Sequence, residues 1–371
     1  MHLCDKQFIC FMKKIFIPLS CTLTAVLLLS SCDKMHGEKT SSPQLSPEET
    51  STLSISIEGV DAEITTRAST SEIGSDKTAQ STQIFIFEPG GACAKKLSAA
   101  SNDIVLPRGF KYTVAALING PELANPSLTA LRDKIISLKD HPFVMYKEQQ
   151  ADLTTAAEVS VALKVTSLGA RVRVKNVTNN LPSWLGNLTI NKMFLCNVVG
   201  TAQPKAPTYN ITYNWYGRNN INTPISDGSV TGSVSSTAEA AAYTLKEPAL
   251  ALSSGESFSG KGYSCSFYCF PNKNKTAIPD TGYSGTTADQ SLATWLTVCG
   301  TVGEKTYYWT INLGENISKN TGLAANYTYD VTLTINNLGS VNPTVPVVPG
   351  SADISCTISP WTDGGDIITS I

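Results

Sequence analysis

The sequence predicts an all-β protein, most simply two β-sandwiches in tandem. Apolar and polar residues alternate with period two in several short segments, most clearly in residues 326–335. Charged residues make up only 16% of the 371 residues, while Ser, Thr, Asn and Gly are abundant, as expected for strands whose outer faces carry hydroxyl and amide groups. Only one segment has apolar residues at helical spacing, and the length suits two domains.

The first 31 residues predict export. Lys13 and Lys14 precede an apolar stretch over residues 15–29, and two serines then lead to Cys32. This order is typical of a signal peptide, residues 1–31, followed by a lipid-acceptor cysteine. Met12 is the expected start of translation. The apolar stretch is short for a lasting membrane span, so an uncleaved anchor is the less favoured alternative, and we expect a mature lipoprotein that begins at Cys32.

A polar tether leads into the first predicted domain. Residues 32–50 lack apolar periodicity and predict a flexible spacer between the lipid and the fold. The first domain, residues 51–180, begins with a strand in which Leu53, Ile55 and Ile57 alternate with hydroxyl residues. Its other strands are predicted at residues 84–87, 112–118, 159–165 and 170–177.

One short helix interrupts the strands of the first domain. Ser127 is a suitable N-cap, because its hydroxyl group can accept a hydrogen bond from the first turn. The apolar residues that follow at helical spacing are predicted to share one buried face, and they are Leu128, Leu131, Ile135 and Leu138.

A turn-rich segment near residue 180 predicts the start of a second sandwich, residues 181–342. Its strands are predicted at residues 188–199, 263–270, 293–298, 306–312 and 326–335, and the polar stretch 201–260 is left unassigned. Residues 343–371 combine a proline-rich connector with two short β-like segments, 353–358 and 366–371. Ile354, Cys356 and Ile358 alternate with polar residues in the first of these, and Trp361 lies in the turn between the two segments.

The sequence carries no recognisable catalytic or metal-binding pattern, so we predict no enzyme activity, no metal and no cofactor. His141 is the only histidine after the tether, and its place beside Pro142 is typical of a surface residue. The formal net charge of −2 and the lack of a basic stripe argue against nucleic acid as a partner. Six cysteines follow Cys32, and their spacing selects no disulfide pairing: Cys93, Cys196, Cys265, Cys269, Cys299 and Cys356.

Several short motifs, in their order and spacing, resemble the fimbrillin superfamily of Bacteroidetes, the lipoprotein pilins of type V pili. The strongest is residues 326–331, followed by the proline connector and Trp361-Thr362-Asp363. The others are Cys32 with its preceding serines, the Thr65-Thr66-Arg67-Ala68 segment, residues 112–119 and residues 170–174. The resemblance covers essentially the whole mature chain, although residues 201–260 carry no matching motif.

The resemblance implies a fold and a mode of assembly. Each subunit is expected to have two transthyretin-like β-sandwiches, to carry lipid such as palmitate on Cys32 at the outer membrane, and to be cut between Arg67 and Ala68 by an arginine-specific surface protease. The cut removes the first strand, with Leu53, Ile55 and Ile57, and leaves an open groove. A C-terminal strand of the next subunit, with Ile354, Cys356, Ile358 and Trp361, then fills it by β-strand addition. Other pilus subunits are therefore the expected partners, and the fimbrium the expected location, with a host or bacterial surface ligand for the pilus.

Alternatives remain open at this stage. Arg67 is equally consistent with an ordinary solvated loop residue, and residues 353–371 could instead complete a sheet of their own domain. In that case the protein would be a non-polymerising anchor or tip fimbrillin. A surface glycan-binding lipoprotein would share the lipid-acceptor cysteine and the sandwiches, and its best aromatic platform would be residues 213–216.

Overall fold

The computed structural model describes residues 49–59, 78–196, 198–205, 215–216, 245–272, 294–313, 322–342, 347 and 352–361. The first ten strands are β1 (Thr50–Glu58), β2 (Thr82–Phe87), β3 (Cys93–Leu97), β4 (Ser101–Pro107), β5 (Lys111–Ile118), β6 (Ile136–Ser137), β7 (Met145–Asp152), β8 (Glu158–Lys164), β9 (Thr166–Ser167) and β10 (Ala170–Asn179). The next six are β11 (Leu188–Cys196), β12 (Val198–Val199), β13 (Thr201–Ala202), β14 (Trp215–Tyr216), β15 (Leu245–Lys246) and β16 (Leu250–Leu252). The last five are β17 (Cys265–Cys269), β18 (Trp295–Val302), β19 (Lys305–Asn312), β20 (Tyr327–Ile335) and β21 (Ala352–Pro360).

The predicted all-β fold class is confirmed. Every strand predicted within the described residues is present, with ends shifted by a few residues, whereas the predicted strand at residues 366–371 lies outside them. In the described part of the chain, no helix is both long enough and apolar enough to cross a membrane.

The predicted helix is present but shorter than its apolar spacing suggested. α1 covers Leu128–Arg132, and the Ser127 hydroxyl oxygen accepts a hydrogen bond from the Ala130 amide at 3.1 Å. Within α1, the side chain of Leu131 is buried. Ile135 does not extend this face and is 56% exposed, because the helix ends at Arg132, with Asp133 as its C-cap, and the chain continues into β6. Short 3₁₀ turns also occur at Ser183–Leu185 and Ser259–Lys261.

The first sandwich packs the three-stranded sheet β4-β1-β8 against the five-stranded sheet β3-β2-β5-β7-β9. Successive residues of β2 point to opposite faces of its sheet. Ile84 and Ile86 face the core shared with β1, while Phe85 and Phe87 belong to a second, larger core. Both faces are buried, which explains why β2 is a continuous apolar run rather than an alternating one.

The second sandwich pairs the sheet β17-β10-β20-β21 with a sheet built around β11, β18 and β19. Inward side chains of both sheets, such as Val172, Val331 and Val298, form one core with the outer face of the β2 sheet. β10 precedes the predicted domain boundary near residue 180, yet both of its strand partners, β17 and β20, come after it. The position of that boundary stays a prediction.

The six cysteines after the tether are all free thiols in the structure. Cys265 and Cys269 are buried on the same face of β17, and burial raises the pKa of each thiol to about 12. They are therefore protonated at neutral pH and pack as small apolar side chains.

Candidate functional site

The candidate site is the cleft that holds β1, here called the β1 groove and formed by β4, β8 and the β2 sheet beneath them. β1 is the central strand of its sheet. It pairs with β4 in antiparallel fashion and with β8 in parallel fashion over seven consecutive residue pairs, from Thr52↔Glu158 to Glu58↔Lys164. Both edges of β1 are therefore occupied by backbone hydrogen bonds.

The floor of the β1 groove is apolar. Leu53 and Ile55 are 0% and 1% exposed, and Ile57 is partly buried against the same core. The side chains that surround them come from the neighbouring strands and the facing sheet, and they include Ile84, Ile86, Ile104, Leu106, Val114, Val161 and Leu163. Burial of two such side chains stabilises the fold by about 3–6 kcal/mol, which a vacated groove would lack.

A buried polar contact marks the beginning of the strand. Ser51 is buried and faces inward like Leu53, and its hydroxyl group donates to the Ala156 carbonyl at 2.6 Å. The Arg108 guanidinium group donates to the Ser51 hydroxyl oxygen at 3.3 Å and to the Thr50 carbonyl at 2.9 Å. The inward row of β1 is thus polar at its first position and apolar at the next three.

The end of the strand requires glycine. Gly59 has φ +88°, and a Cβ at this position would lie 2.6 Å from the Val165 carbonyl oxygen. The Val165 amide donates to the Glu58 carbonyl at 2.9 Å, so the chain leaves the groove tightly packed against the end of β8. Residues 60–77, which include the predicted cleavage residues Arg67 and Ala68, lie outside the described residues, as does Cys32.

Asn119 fixes the point where the described chain resumes. Its side-chain oxygen accepts hydrogen bonds from the Gln80 and Ser81 amides at 2.7 and 3.2 Å. Its side-chain nitrogen donates to the carbonyls of Thr78 at 2.7 Å and Phe143 at 3.3 Å. With φ +54°, Asn119 adopts the left-handed conformation that Asn tolerates better than most residues. The start of β2 is therefore held independently of β1.

The predicted donor residues lie in a different sheet from the β1 groove. β21 pairs with β20 over nine residue pairs, which place Ile354 opposite Leu333, Cys356 opposite Val331 and Ile358 opposite Tyr329. Cys356 is 3% exposed in the large core. The structure therefore brings Leu53, Ile55 and Ile57 together in one groove, and it places the C-terminal residues in the sheet of their own chain.

Trp361 anchors the end of β21. Its amide donates to the Asn326 carbonyl at 2.7 Å, and its ring is 2% exposed. The Tyr268 ring lies 5.7 Å from it, and the Arg171 guanidinium group lies 5.6 Å from its centre, within range of a cation–π interaction. Residues 362–371 lie outside the described residues.

Within the described ranges, no three His, Cys, Asp or Glu side chains come together as a metal site would require. A separate open cavity of about 560 Å³ lies between β7 and the start of β20, lined in part by Tyr146, Glu148, Lys205 and Asn326. Burial alone would raise the pKa of Glu148, but hydrogen bonds from Arg132 and Tyr146 outweigh it and lower the pKa to about 2. The carboxylate is thus committed to contacts within the protein.

Sequence reasoning missed Arg108, Gly59 and Asn119. The contacts of Arg108 and Asn119 join residues that lie about 20 to 60 positions apart in the chain, so they depend on strand pairing that one sequence does not show. A local signal existed for Asn119, because Asn-Gly-Pro after a strand is a turn sequence. The predicted aromatic platform at residues 213–216 lies largely outside the described residues.

Searches by sequence find no matching family model and no matching curated protein. Solved structures do match. A fimbrillin from Porphyromonas gingivalis has a TM-score of 0.57 at 14% identity, over 85% of this chain and 99% of that one. A candidate cell adhesion protein from Parabacteroides distasonis has a TM-score of 0.55 at 14% identity, over 84% and 99% of the two chains. Another candidate cell adhesion protein, from Bacteroides eggerthii, has a TM-score of 0.54 at 17% identity, over 85% and 97%.

This chain therefore shares the β-sandwich architecture of these solved structures. More particularly, this chain has the fold of the solved fimbrillin over nearly the whole length of that protein. The resemblance drawn from the sequence motifs is confirmed at the level of the fold.

Proposed function

We propose that this protein is a structural subunit of a surface pilus, exported as a lipoprotein and assembled by protease-triggered β-strand exchange. One observation carries the proposal. β1 is buried between two strands, yet it is joined to the rest of the described fold only through residues 60–77. A single cut in that segment makes β1 a separate peptide held by non-covalent contacts alone.

Release of β1 would leave a groove that favours a replacement strand. β4 and β8 would each present an unpaired edge, and the pockets of Leu53 and Ile55 would face water. An extended segment with apolar side chains at alternate positions satisfies both requirements. Since the groove and the donor are different surfaces, the contact is head-to-tail and builds a filament.

The cleavage step is tested by mass spectrometry of the N-terminus of the protein recovered from the cell surface. Cleavage after Arg67 gives a mature chain that starts at Ala68. The variant Arg67→Lys keeps the charge but removes the recognition residue of an arginine-specific protease, so it should stay uncut and monomeric. Recovery of all material with an N-terminus at lipidated Cys32 would contradict the stalk-subunit role and would support the anchor alternative.

The donor is tested by locking β21 to β20. Thr332 and Ser355 face each other in the β20–β21 register, so cysteines at both positions can form a disulfide bond across the strand pair. If β21 is the donor, as the sequence predicts, the oxidised double variant should not polymerise after cleavage, and reduction should restore polymerisation. The two single-cysteine variants are the controls. Polymerisation of the oxidised protein would show that β21 stays in its own sheet and that the donor lies elsewhere in the chain.

A further inference from the structure

We propose that the end of the second sandwich that carries Trp184 binds a neutral oligosaccharide. This surface, here called the Trp184 pole, consists of Asn180, Trp184, Asn336 and Asp353. These residues lie where β10 and β20 end and β21 begins. Asp353 belongs to β21, so the site is complete in a subunit whose β21 lies in its own sheet.

Trp184 is the most exposed large apolar side chain in the described part of the chain, at 80%. It belongs to the 3₁₀ turn Ser183–Leu185, and the residue after it, Leu185, packs against the large core. The indole ring is therefore directed away from the fold while its neighbour anchors the turn. The exposed ring is therefore a flat apolar surface that a ligand can contact.

The backbone that presents Trp184 is held rigidly. Asn179 is fully buried, and its side chain accepts from the Leu181 amide at 3.0 Å and donates to the Leu252 carbonyl at 2.8 Å. The Ser254 hydroxyl group donates to the Leu181 carbonyl at 2.6 Å. Because the turn is already ordered, little conformational entropy is lost when Trp184 meets a ligand.

A row of polar side chains crosses the strand ends beside this turn. The Asn180 side-chain nitrogen donates to the Asn336 side-chain oxygen at 2.8 Å, and the Asn336 nitrogen donates to an Asp353 carboxylate oxygen at 2.9 Å. Within the described residues, the second carboxylate oxygen of Asp353 and the side-chain oxygen of Asn180 receive no side-chain or backbone hydrogen bond. These exposed acceptors are oriented by the row and remain available.

The combination fits a sugar better than a protein surface. A sugar ring has an apolar C–H face that can pack on an indole ring, and hydroxyl groups at its edge that donate to amide and carboxylate oxygens. A protein partner would require an apolar centre around the aromatic anchor. Here Leu181 is buried and Leu185 packs against the large core, and the side chains across the strand ends are polar. Asn180 and Trp184 are four positions apart in the chain, so their Cα atoms lie at most about 14 Å apart. Both can therefore contact one short oligosaccharide.

The test uses the whole mature chain and three soluble probes: maltoheptaose, mannopentaose and chitopentaose. Trp295, Trp309 and Trp361 are buried, so the acrylamide-quenchable fluorescence that is lost in Trp184→Phe reports on Trp184. We expect at least one probe to protect this signal from quenching. Isothermal titration calorimetry, which does not need the Trp184 signal, should show that Trp184→Ala weakens binding of that probe at least about tenfold and Asp353→Asn by a smaller factor.

Phe110→Ala is the matched control, because Phe110 is also an exposed aromatic residue but lies in the first sandwich. It should bind the probe like the unchanged protein, and thermal unfolding should confirm that all variants fold. Failure of all three probes to protect Trp184, or equal binding by Trp184→Ala, would overturn the proposal. Loss of self-association in Trp184→Ala, without any effect of sugar, would instead identify the Trp184 pole as a contact between copies of this chain.

Discussion

Replacing Leu53 by alanine should destabilise the uncleaved subunit and leave the assembled form unaffected. Leu53 is 0% exposed in a core that includes Ile104, Val114 and Val161, so the variant loses apolar burial and gains a cavity. The free energy of unfolding of the uncleaved protein should fall by about 2–5 kcal/mol. In a filament made by strand exchange, β1 and therefore residue 53 have left the subunit. The substitution should then leave the stability of the filament unchanged.

Two measurements separate these states. Chemical denaturation of the uncleaved protein gives its free energy of unfolding. The denaturant concentration at which half of the purified filaments dissociate reports the stability of the assembled form. Ser54→Ala is the matched control, since Ser54 lies beside Leu53 on the outer face and its hydroxyl group donates only to the Asn102 carbonyl at 3.0 Å. Equal destabilisation of the uncleaved protein and the filament by Leu53→Ala would mean that β1 stays in place, and the strand-exchange mechanism would be refuted.

Three further outcomes are expected. Arg108→Ala should speed hydrogen exchange at the start of β1 more than at its end, because only the first residues lose the guanidinium contacts; uniform exchange along β1 would contradict this. Asn119→Ala should lower the melting temperature and extend proteolysis from residues 60–77 into residues 78–81, whereas unchanged cleavage sites would show that β2 needs no such clamp. The pKa of Glu148 is lowered to about 2 from its ordinary 4.5, so its contribution is present above pH 4.5 and is lost as pH falls towards 2. The melting temperature of Glu148→Gln should therefore fall less than that of the unchanged protein between pH 6 and pH 3, and parallel curves would contradict the assignment.

The sequence predicted strands best where apolar residues alternate or run together, as in β1, β2 and β20. It missed β7, whose central residues Lys147, Glu148, Gln149 and Gln150 give no apolar pattern. β7 is a strand because it pairs with β5 over eight residue pairs, a property of tertiary structure rather than of its own residues.

The β1 groove likewise has one feature that the sequence predicts and one that it does not. The apolar row of β1 was predictable from its alternation, but its position between β4 and β8 was not, because both pairings join distant parts of the chain. The exposure of Trp184 was also hidden, since an aromatic residue in a turn gives no local sign of the direction in which its ring points.

The inward rows of β1 and β21 suggest a last test, because they match in order. Ser51, Leu53, Ile55 and Ile57 correspond to Ala352, Ile354, Cys356 and Ile358, each a small residue followed by three apolar ones. Cys356 is the middle member of its apolar three, so in the β1 groove it would fill the Ile55 pocket incompletely in either strand direction.

Cys356→Ile should therefore act with opposite signs in the two states. In the uncleaved subunit Cys356 is 3% exposed, so the larger side chain overpacks the core and lowers stability by about 1–3 kcal/mol. In the groove the same side chain replaces the lost bulk of Ile55, and filaments should dissociate at higher denaturant concentration. Ser355→Thr, on the outer face of β21, is the control and should move neither midpoint by much. Filaments that dissociate more easily in Cys356→Ile would show that β21 remains in its own sheet after assembly and that another segment enters the groove.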